Sequence, residues 1–182
     1  MKKRIAVYLA EGFEEIEAIS IIDVLRRADI EVVVVSVTGK LEVSGSHQIK
    51  VLVDTLFEDF NSTDLFMIVL PGGMPGAFNL DAHEGLKAQI RYFNAENKPL
   101  AAICAAPMVF GNLGILDGKQ AVCYPGFERY LKGAEILSVP VIESENFITG
   151  RGPGVAIQFA LKIVEKAVSI EKAEQVAKQM LV

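Results

Sequence analysis

The chain of 182 residues is 51% hydrophobic and 23% charged, and it carries a formal net charge of −5. This composition is typical of a globular protein, and the length predicts one domain over residues 1–182. The acidic balance argues against a nucleic-acid surface, and no apolar run approaches the ~20 residues that a membrane-spanning helix needs.

Short apolar runs predict strands, and they alternate with segments of helical periodicity. The predicted strands are Arg4–Leu9, Glu31–Val37, Leu65–Leu70, Leu100–Ile103, Gln120–Tyr124, Ile136–Ile142 and Asn146–Thr149. The predicted helices are Glu14–Ala28, Asp81–Asn94, Ala106–Leu113, Pro125–Leu131, a long helix from Gly154 to Val168, and Glu171–Met180. This alternation indicates an α/β fold with a mostly parallel sheet and helices on both faces. The stretch Gly39–Val53 alternates more weakly around a turn at Ser44-Gly-Ser46, which predicts an antiparallel hairpin or excursion at the sheet edge.

Four distinctive loops follow predicted strands, at Ala10–Phe13, Pro71–Gly73, Cys104–Pro107 and Gly150–Gly154. Ligands of open α/β sheets bind outside the carboxyl ends of the strands, at a switch in strand order. We therefore expect the functional site where these loops meet. The last loop lacks the G-x-G-x-x-G spacing of a dinucleotide site, so no cofactor is expected.

Cys104 lies at a predicted turn between a strand and a helix. The apolar run Leu100–Ile103 precedes it, and Pro107, which is suited to the first turn of a helix, follows it. Ala102 and Ala106 stand two residues to either side, which is the layout of a nucleophile elbow with Cys for Ser and Ala for both glycines. The helix start would favour the thiolate over the thiol. The alternative is an inert buried residue, as free cysteines usually are.

The first predicted helix supplies an inward acid. One face of it carries Glu17, Ile21, Val24 and Ala28, at spacings of four, three and four residues. Because it heads an apolar stripe, Glu17 is expected to point towards the strand ends, and Glu14 borders the same stripe. Glu15 shares a face with Arg26 and is expected to meet solvent. The alternative for all three acids is a helix start enriched in carboxylates for its dipole.

The glycines of Pro71-Gly72-Gly73 follow a buried strand and allow the backbone to approach a ligand or a neighbouring loop closely. Their N–H groups, with that of Ala105, could form an oxyanion pocket beside the sulfur of Cys104. The alternative is a tight turn without a further role.

Histidine is scarce, with only His47 and His83 in the chain. A Cys–His nucleophilic pair needs an imidazole within hydrogen-bond reach of the sulfur. His83 is predicted to be a solvated surface residue near a helix start, whereas His47 lies in the edge excursion. Cys123 is predicted to be a small buried side chain. Dispersed cysteines and histidines predict no metal site, and the lack of a disulfide framework favours a cytoplasmic location.

Four segments together resemble the ThiJ/PfpI superfamily, in the branch of the parkinsonism-associated protein deglycase and its bacterial relatives. They are Ala10–Glu17 (AEGFEEIE), Leu70–Gly73 (LPGG), Ala101–Pro107 (AAICAAP) and Thr149–Gly154 (TGRGPG). The match is collinear over essentially the whole chain. The resemblance implies a flavodoxin-like three-layer sandwich that is usually a homodimer.

The resemblance also implies roles for single residues. The family's reactive cysteine falls on Cys104, the protonated glutamate that hydrogen-bonds it falls on Glu17, and its backbone donors fall on Gly72, Gly73 and Ala105. In that branch the cysteine oxidises readily to a sulfinate. The roles described there are an oxidative-stress response, chaperone activity, and glyoxalase or deglycase activity on methylglyoxal or its adducts. The implied reactant is therefore an oxidant or a small reactive carbonyl.

The chain departs from the family pattern near the cysteine. Tyr124 stands where some relatives carry a histidine, and Ala105 stands where protease-like members place one, so a Cys–His hydrolase is disfavoured. His47 falls where relatives carry an arginine that the dimer partner directs towards the site, which predicts a histidine that reaches the pocket in trans. Arg151 is a further candidate pocket residue.

Two functions of different class follow. The first is a cysteine-dependent oxidative-stress response protein, in which Glu17 stabilises the oxidised form of Cys104. The second is a cofactor-independent glyoxalase or deglycase, in which Cys104 attacks a carbonyl carbon and Glu17 moves a proton. A non-catalytic member with a vestigial pocket is a third possibility. The first is favoured, because the second lacks its usual histidine.

Overall fold

The computed structural model describes residues 3–182, and the first two residues of the predicted domain lie outside that range. The strands are β1 (Arg4–Leu9), β2 (Glu31–Ser36), β3 (Glu42–Ser44), β4 (Lys50–Leu52), β5 (Thr55–Leu56), β6 (Leu65–Leu70), β7 (Leu100–Ile103), β8 (Gln120–Ala121), β9 (Glu135–Ile136), β10 (Val141–Ser144) and β11 (Phe147–Gly150). The helices are α1 (Glu15–Arg27), α2 (Gly76–Ala82), α3 (Glu84–Ala95), α4 (Pro107–Asn112), α5 (Ala156–Ala167) and α6 (Ile170–Met180).

The main sheet has seven strands in the order β10-β11-β7-β6-β1-β2-β5. Neighbouring strands are parallel except for β10 and β11, which are antiparallel. From β1 the chain continues to β2 on one side, whereas β6 and β7 are added on the other side. The strand order therefore reverses between β1 and β6, which is where ligands of such sheets bind.

Helices cover both faces of this sheet and form two groups. Helix α1 packs on α5 and α5 on α6, while α2 packs on α3 and α4. The central strands have no solvent side: every residue of Ile5–Leu9 and of Leu100–Ile103 is buried. The mostly parallel, flavodoxin-like α/β sandwich is thus confirmed. Among residues 3–182, no helix combines the length and the apolar character needed to cross a bilayer.

The prediction of one helix over Asp81–Asn94 is wrong, because two helices, α2 and α3, meet at His83. The backbone of His83 is extended (φ −85°, ψ 100°), and its Nδ1 accepts a hydrogen bond of 3.0 Å from the N–H of Leu86. Its ring also packs on that of Phe57, with centroids 4.5 Å apart. His83 is therefore the N-cap of α3 and is half-buried, not a solvated surface residue.

Three predicted elements between α4 and β11 are also wrong. The strand predicted over Gln120–Tyr124 ends after two residues, because the next N–H, of Val122, donates to Thr149 Oγ1 (2.9 Å). The strand predicted over Ile136–Ile142 is instead two separate strands, β9 and β10. The segment between them includes Pro140, which has no N–H to donate to a neighbouring strand. The helix predicted over Pro125–Leu131 is only a 3-10 turn at Glu128–Tyr130.

The excursion predicted over Gly39–Val53 is an antiparallel hairpin of β3 and β4, separate from the main sheet. Its tip packs on the loop that follows β1. The N–H of Gly12 donates to the carbonyl of Ser44 (2.8 Å), and the N–H of Ser46 donates to the carbonyl of Phe13 (2.8 Å). These bonds bring the hairpin to the beginning of α1.

Candidate functional site

The loops after β1, β6, β7 and β11 meet at the carboxyl edge of the sheet, as the sequence predicts. The loop after β1 is bonded to the loop after β6 through Glu14 N and the carbonyl of Gly72 (2.9 Å). The turn after β7 is bonded to the end of β11 through Cys104 N and the carbonyl of Gly150 (2.9 Å). Backbone hydrogen bonds therefore tie the start of α1 to the loop after β6, and Cys104 to the end of β11.

Cys104 occupies a strained turn. Its φ is +65°, a region that side-chain-bearing residues rarely adopt and that recurs at functional sites. Its side chain is buried, with 8% of the residue exposed. The neighbours Ala105 and Ala106 are also buried, which explains why small residues stand there. The geometry is that of the predicted nucleophile elbow, although α4 begins only at Pro107 and is six residues long.

Glu17 is the third residue of α1 and is fully buried. Its Oε2 accepts a hydrogen bond of 2.7 Å from the N–H of Gly72, while its Oε1 has no hydrogen-bond partner among the described residues. Burial raises the pKa of Glu17 to about 7, and the charge of Glu14 adds to this rise, whereas the contacts with Gly72 and Cys104 lower it. Glu17 is therefore a carboxyl group that exchanges its proton near neutral pH.

Gly72 lies between the cysteine and the acid. A Cβ at this position would lie 2.7 Å from Cys104 Cβ, 2.9 Å from Glu17 Oε2 and 2.9 Å from the carbonyl of Ile103. Only a glycine leaves room for the two side chains to approach. The N–H of Gly72 donates to Glu17, so the expectation that it joins the donors around the sulfur needs correction.

The other two expected donors affect the ionisation of the sulfur. The N–H groups of Gly73 and Ala105 lower the pKa of Cys104, whereas burial and the Glu17 carboxylate raise it, and burial has the largest effect. The net direction is upward. The turn at the helix start favours the thiolate as expected, since the N–H groups of Gly73 and Ala105 lower the pKa, but desolvation and the Glu17 charge outweigh this effect.

Cys104 and Glu17 each affect the pKa of the other. With Glu17 ionised, its charge disfavours the thiolate; with Glu17 protonated, that charge is gone and the carboxyl group becomes a donor to the sulfur. Moving the proton from sulfur to carboxyl thus converts a thiol beside a carboxylate into a thiolate beside an acid. The ionisation of Cys104 depends on Glu17 more than on the helix.

Tyr124 and Arg151 line an open cleft next to the elbow, with a volume of ≈ 480 Å³. The N–H of Tyr124 donates to the carbonyl of Cys104 (2.7 Å), but its ring lies against Gly152, where an added Cβ would be 3.2 Å from Cδ2. Both side chains are exposed. They flank the cysteine without a hydrogen bond to it among the described residues.

The hairpin covers the first acids of α1. Glu15 was expected to meet solvent, and this is wrong: it is buried, and its Oε1 accepts from the N–H of His47 (2.6 Å). Its Oε2 lies 2.8 Å from His47 Nδ1. These bonds lower the pKa of Glu15 to about 2 against the opposing effect of burial. Glu14 is partly buried beside it, with Oε2 3.8 Å from His47 Nδ1.

In this chain His47 therefore contacts Glu15 and not the Cys104–Glu17 pair, and its approach to a partner's pocket stays a prediction. The Ser44-Gly-Ser46 turn predicted the hairpin but not its contact with Glu15. A Cβ on Gly45 would lie 2.3 Å from Glu15 Oε1, so this glycine lets the hairpin dock directly on the acid. Cys123 is buried as predicted, and burial raises its pKa to about 12.

Comparison with known proteins connects this geometry to one family. The family model described as the DJ-1/PfpI family matches residues 3–166. Protein DJ-1 homolog B of Arabidopsis thaliana is 41% identical over 98% of this chain, and the chain spans only 41% of the length of that plant protein. Protein dj-1beta of Drosophila melanogaster is 38% identical, with 100% of this chain and 98% of the fly protein aligned. The structure of oxidized DJ-1 from Toxoplasma gondii superposes with a TM-score of 0.94 at 39% identity, over 98% of each chain.

Proposed function

The chain belongs to the DJ-1/PfpI family, and we propose that it acts as a cysteine-dependent oxidative-stress response protein whose reactive group is the Cys104 thiol. The observation that carries the proposal is the contact of Cys104 with a fully buried Glu17 whose pKa is about 7. Such a carboxyl group can accept a proton as the sulfur reacts, and it holds that proton near neutral pH.

The proposed chemistry has two oxidation steps. The thiolate attacks one oxygen of a hydroperoxide and becomes a sulfenic acid, while the peroxide's second oxygen leaves as water or alcohol. A second hydroperoxide oxidises the sulfenic acid to a sulfinate in the same way. The protonated carboxyl group of Glu17 then donates a hydrogen bond to a sulfinate oxygen, and the N–H groups of Gly73 and Ala105 supply two further donors. The site stabilises the anionic product.

Mass spectrometry of the Cys104 peptide after mild hydrogen peroxide tests this proposal. Burial raises the pKa of both thiols, so burial does not distinguish them. We expect a gain of two oxygens on Cys104 and none on Cys123, because among the described residues Cys104, unlike Cys123, has the buried acid Glu17 and the N–H groups of Gly73 and Ala105 affecting its ionisation. Cys123 is thus an internal control within the same molecule. An unmodified Cys104, or equal oxidation of both cysteines, would contradict the proposal.

A second candidate is a glyoxalase or deglycase acting on methylglyoxal or its adducts, and it is favoured by the cleft lined by Tyr124, whose N–H donates to the carbonyl of Cys104. The thiol would add to the aldehyde carbon as a hemithioacetal, and Glu17 would move a proton between the two carbons to give a thioester. Hydrolysis would then release lactate and the free thiol. Loss of methylglyoxal without lactate would show trapping by the thiol and remove this candidate. Tyr124, which replaces the usual histidine, makes it the second choice.

We also propose a homodimer, since members of this family are commonly dimeric. Four apolar side chains on α1 and the hairpin are between 46% and 77% exposed: Ile16, Ile19, Ile49 and Leu52. A surface of this kind is typical of an interface between copies of a chain. Light scattering should find a dimer that Ile19→Glu converts to monomer, with Tyr92→Glu on α3 as the control; a monomeric wild type would exclude the dimer.

We propose a cytoplasmic location because neither cysteine forms a disulfide. Cys104 and Cys123 are both free thiols, and a reducing compartment keeps them so. Detection of the protein outside the cytoplasmic fraction of its cell would contradict this assignment.

A further inference from the structure

The contact between the hairpin tip and the start of α1 brings four potential metal ligands to one point. Glu14 and Glu15 come from the helix start, and Ser46 and His47 come from the hairpin. The ligand atoms of the two carboxylates and the imidazole all lie within 4.8 Å of one another. None of these four side chains belongs to the Cys104–Glu17 pair, so the cluster is a separate feature of the molecule.

The distances between the side-chain oxygens and the imidazole nitrogen are close to the ligand–ligand distances of a small tetrahedral metal site. Ser46 Oγ lies 3.3 Å from Glu14 Oε2, 3.1 Å from Glu15 Oε2 and 3.1 Å from His47 Nδ1. His47 Nδ1 lies 2.8 Å from Glu15 Oε2 and 3.8 Å from Glu14 Oε2. Ligand distances of ~2.0–2.1 Å in tetrahedral zinc sites place neighbouring ligand atoms roughly 3.3 Å apart. The centre of the cluster is therefore the size of a Zn²⁺ ion.

The surroundings hold the two carboxylates in place and leave one oxygen of Glu15 available. Glu15 Oε1 accepts from the N–H groups of His47 (2.6 Å) and Ile49 (3.4 Å), which leaves Oε2 facing the cluster. Glu14 is anchored by its own N–H, which donates to the carbonyl of Gly72. The side chain of His47 is 70% exposed in the single chain.

We propose that Glu14, Glu15 and His47 bind a divalent transition-metal ion of the zinc class, with Ser46 Oγ or a water as the fourth ligand. The ion replaces the proton at Nδ1 of His47, and its two positive charges neutralise two adjacent carboxylates. The imidazole nitrogen and the small number of ligands favour Zn²⁺ or Co²⁺ over Mg²⁺ and Ca²⁺, which take six or more oxygens.

Titration of the chelator-treated full chain with Co²⁺, followed by visible absorption and by calorimetry, tests this site. We expect one ion per chain with the intense absorption bands of tetrahedral cobalt. His47→Gln should weaken binding by at least about tenfold, because it removes one of the three proposed side-chain ligands. His83→Asn is the matched control: it removes the other histidine and keeps an N-cap, and it should bind Co²⁺ as the wild type does.

Cys104→Ser separates this site from the proposed redox site. Co²⁺ binding that survives Cys104→Ser and is lost in His47→Gln supports the cluster. Binding that is lost in Cys104→Ser assigns the ion to the cysteine and overturns the proposal, as does unchanged binding in His47→Gln or an absence of binding. Competition by millimolar Mg²⁺ would overturn the assignment to a transition metal. None of these outcomes bears on the oxidation of Cys104.

Discussion

Replacing Glu17 with alanine is expected to reduce the fraction of Cys104 recovered as sulfinate after peroxide treatment by about tenfold or more. The sulfinate then keeps the N–H donors of Gly73 and Ala105 but loses the carboxyl donor. A hydrogen bond to a charged group is worth ~1.5–3 kcal/mol, and ~1.4 kcal/mol corresponds to a factor of ten. The Glu17 charge that raises the pKa of Cys104 is also removed, so the sulfur should still ionise and the loss should fall on the sulfinate product. Quantitative mass spectrometry of the Cys104 peptide, with a chelator present, measures the fractions.

Two variants serve as controls for this result. Glu17→Gln keeps the shape of the side chain and offers an N–H donor but cannot accept the thiol proton, so it should fall between alanine and the wild type. Glu14→Gln removes a nearby charge without removing a group that contacts the sulfur, and it should retain the sulfinate. An equal sulfinate fraction in Glu17→Ala and the wild type would remove Glu17 from the account.

Gly73→Ala is expected to destabilise the fold by ~3 kcal/mol or more, since it combines two costs. Gly73 has a φ of +93°, and a Cβ there would lie 2.3 Å from Glu14 N and 2.5 Å from the carbonyl of Gly12. Neither neighbour is a flexible side chain, so the loops after β1 and β6 would have to separate. The same shift would move the Gly73 N–H away from the sulfur. Chemical denaturation measures the change in the free energy of unfolding.

Gly114→Ala is the matched control for backbone strain. Gly114 has a φ of +70°, but a Cβ there would meet no atom within 4 Å. Its alanine variant should therefore show only the cost of a left-handed side-chain-bearing residue, ~1–2 kcal/mol. Similar losses in the two variants would mean that the close packing of the two loops contributes little to stability.

The main features of the fold were predictable because they rest on local pattern. The apolar runs of β1, β2 and β6 have no polar face, which indicates a sheet covered on both sides. The order of the strands was not predictable, because it depends on pairings between distant segments. Local competition explains the element errors: His83 caps α3 with its own side chain, and Pro140 interrupts a ladder.

The site was predictable where one element determines it. Periodicity along α1 placed Glu17 inward, and small residues around Cys104 indicated the elbow. The direction of the Gly72 N–H and the burial of Glu15 were not predictable, since both depend on loops that meet only in the folded chain. The upward shift in the pKa of Cys104 was missed for the same reason, because the motif shows the turn but not the desolvation.

The proton on Glu17 is central to this account, and ¹³C NMR of its side-chain carboxyl group tests it most directly. The resonance, assigned by its loss in Glu17→Gln, should titrate at a pKa of about 7 in the reduced protein. After oxidation of Cys104 to the sulfinate, the titration should move to higher pH, because a second anion disfavours the carboxylate. A Glu17 resonance that titrates near its ordinary value of 4.5, and does not move on oxidation, would contradict the account.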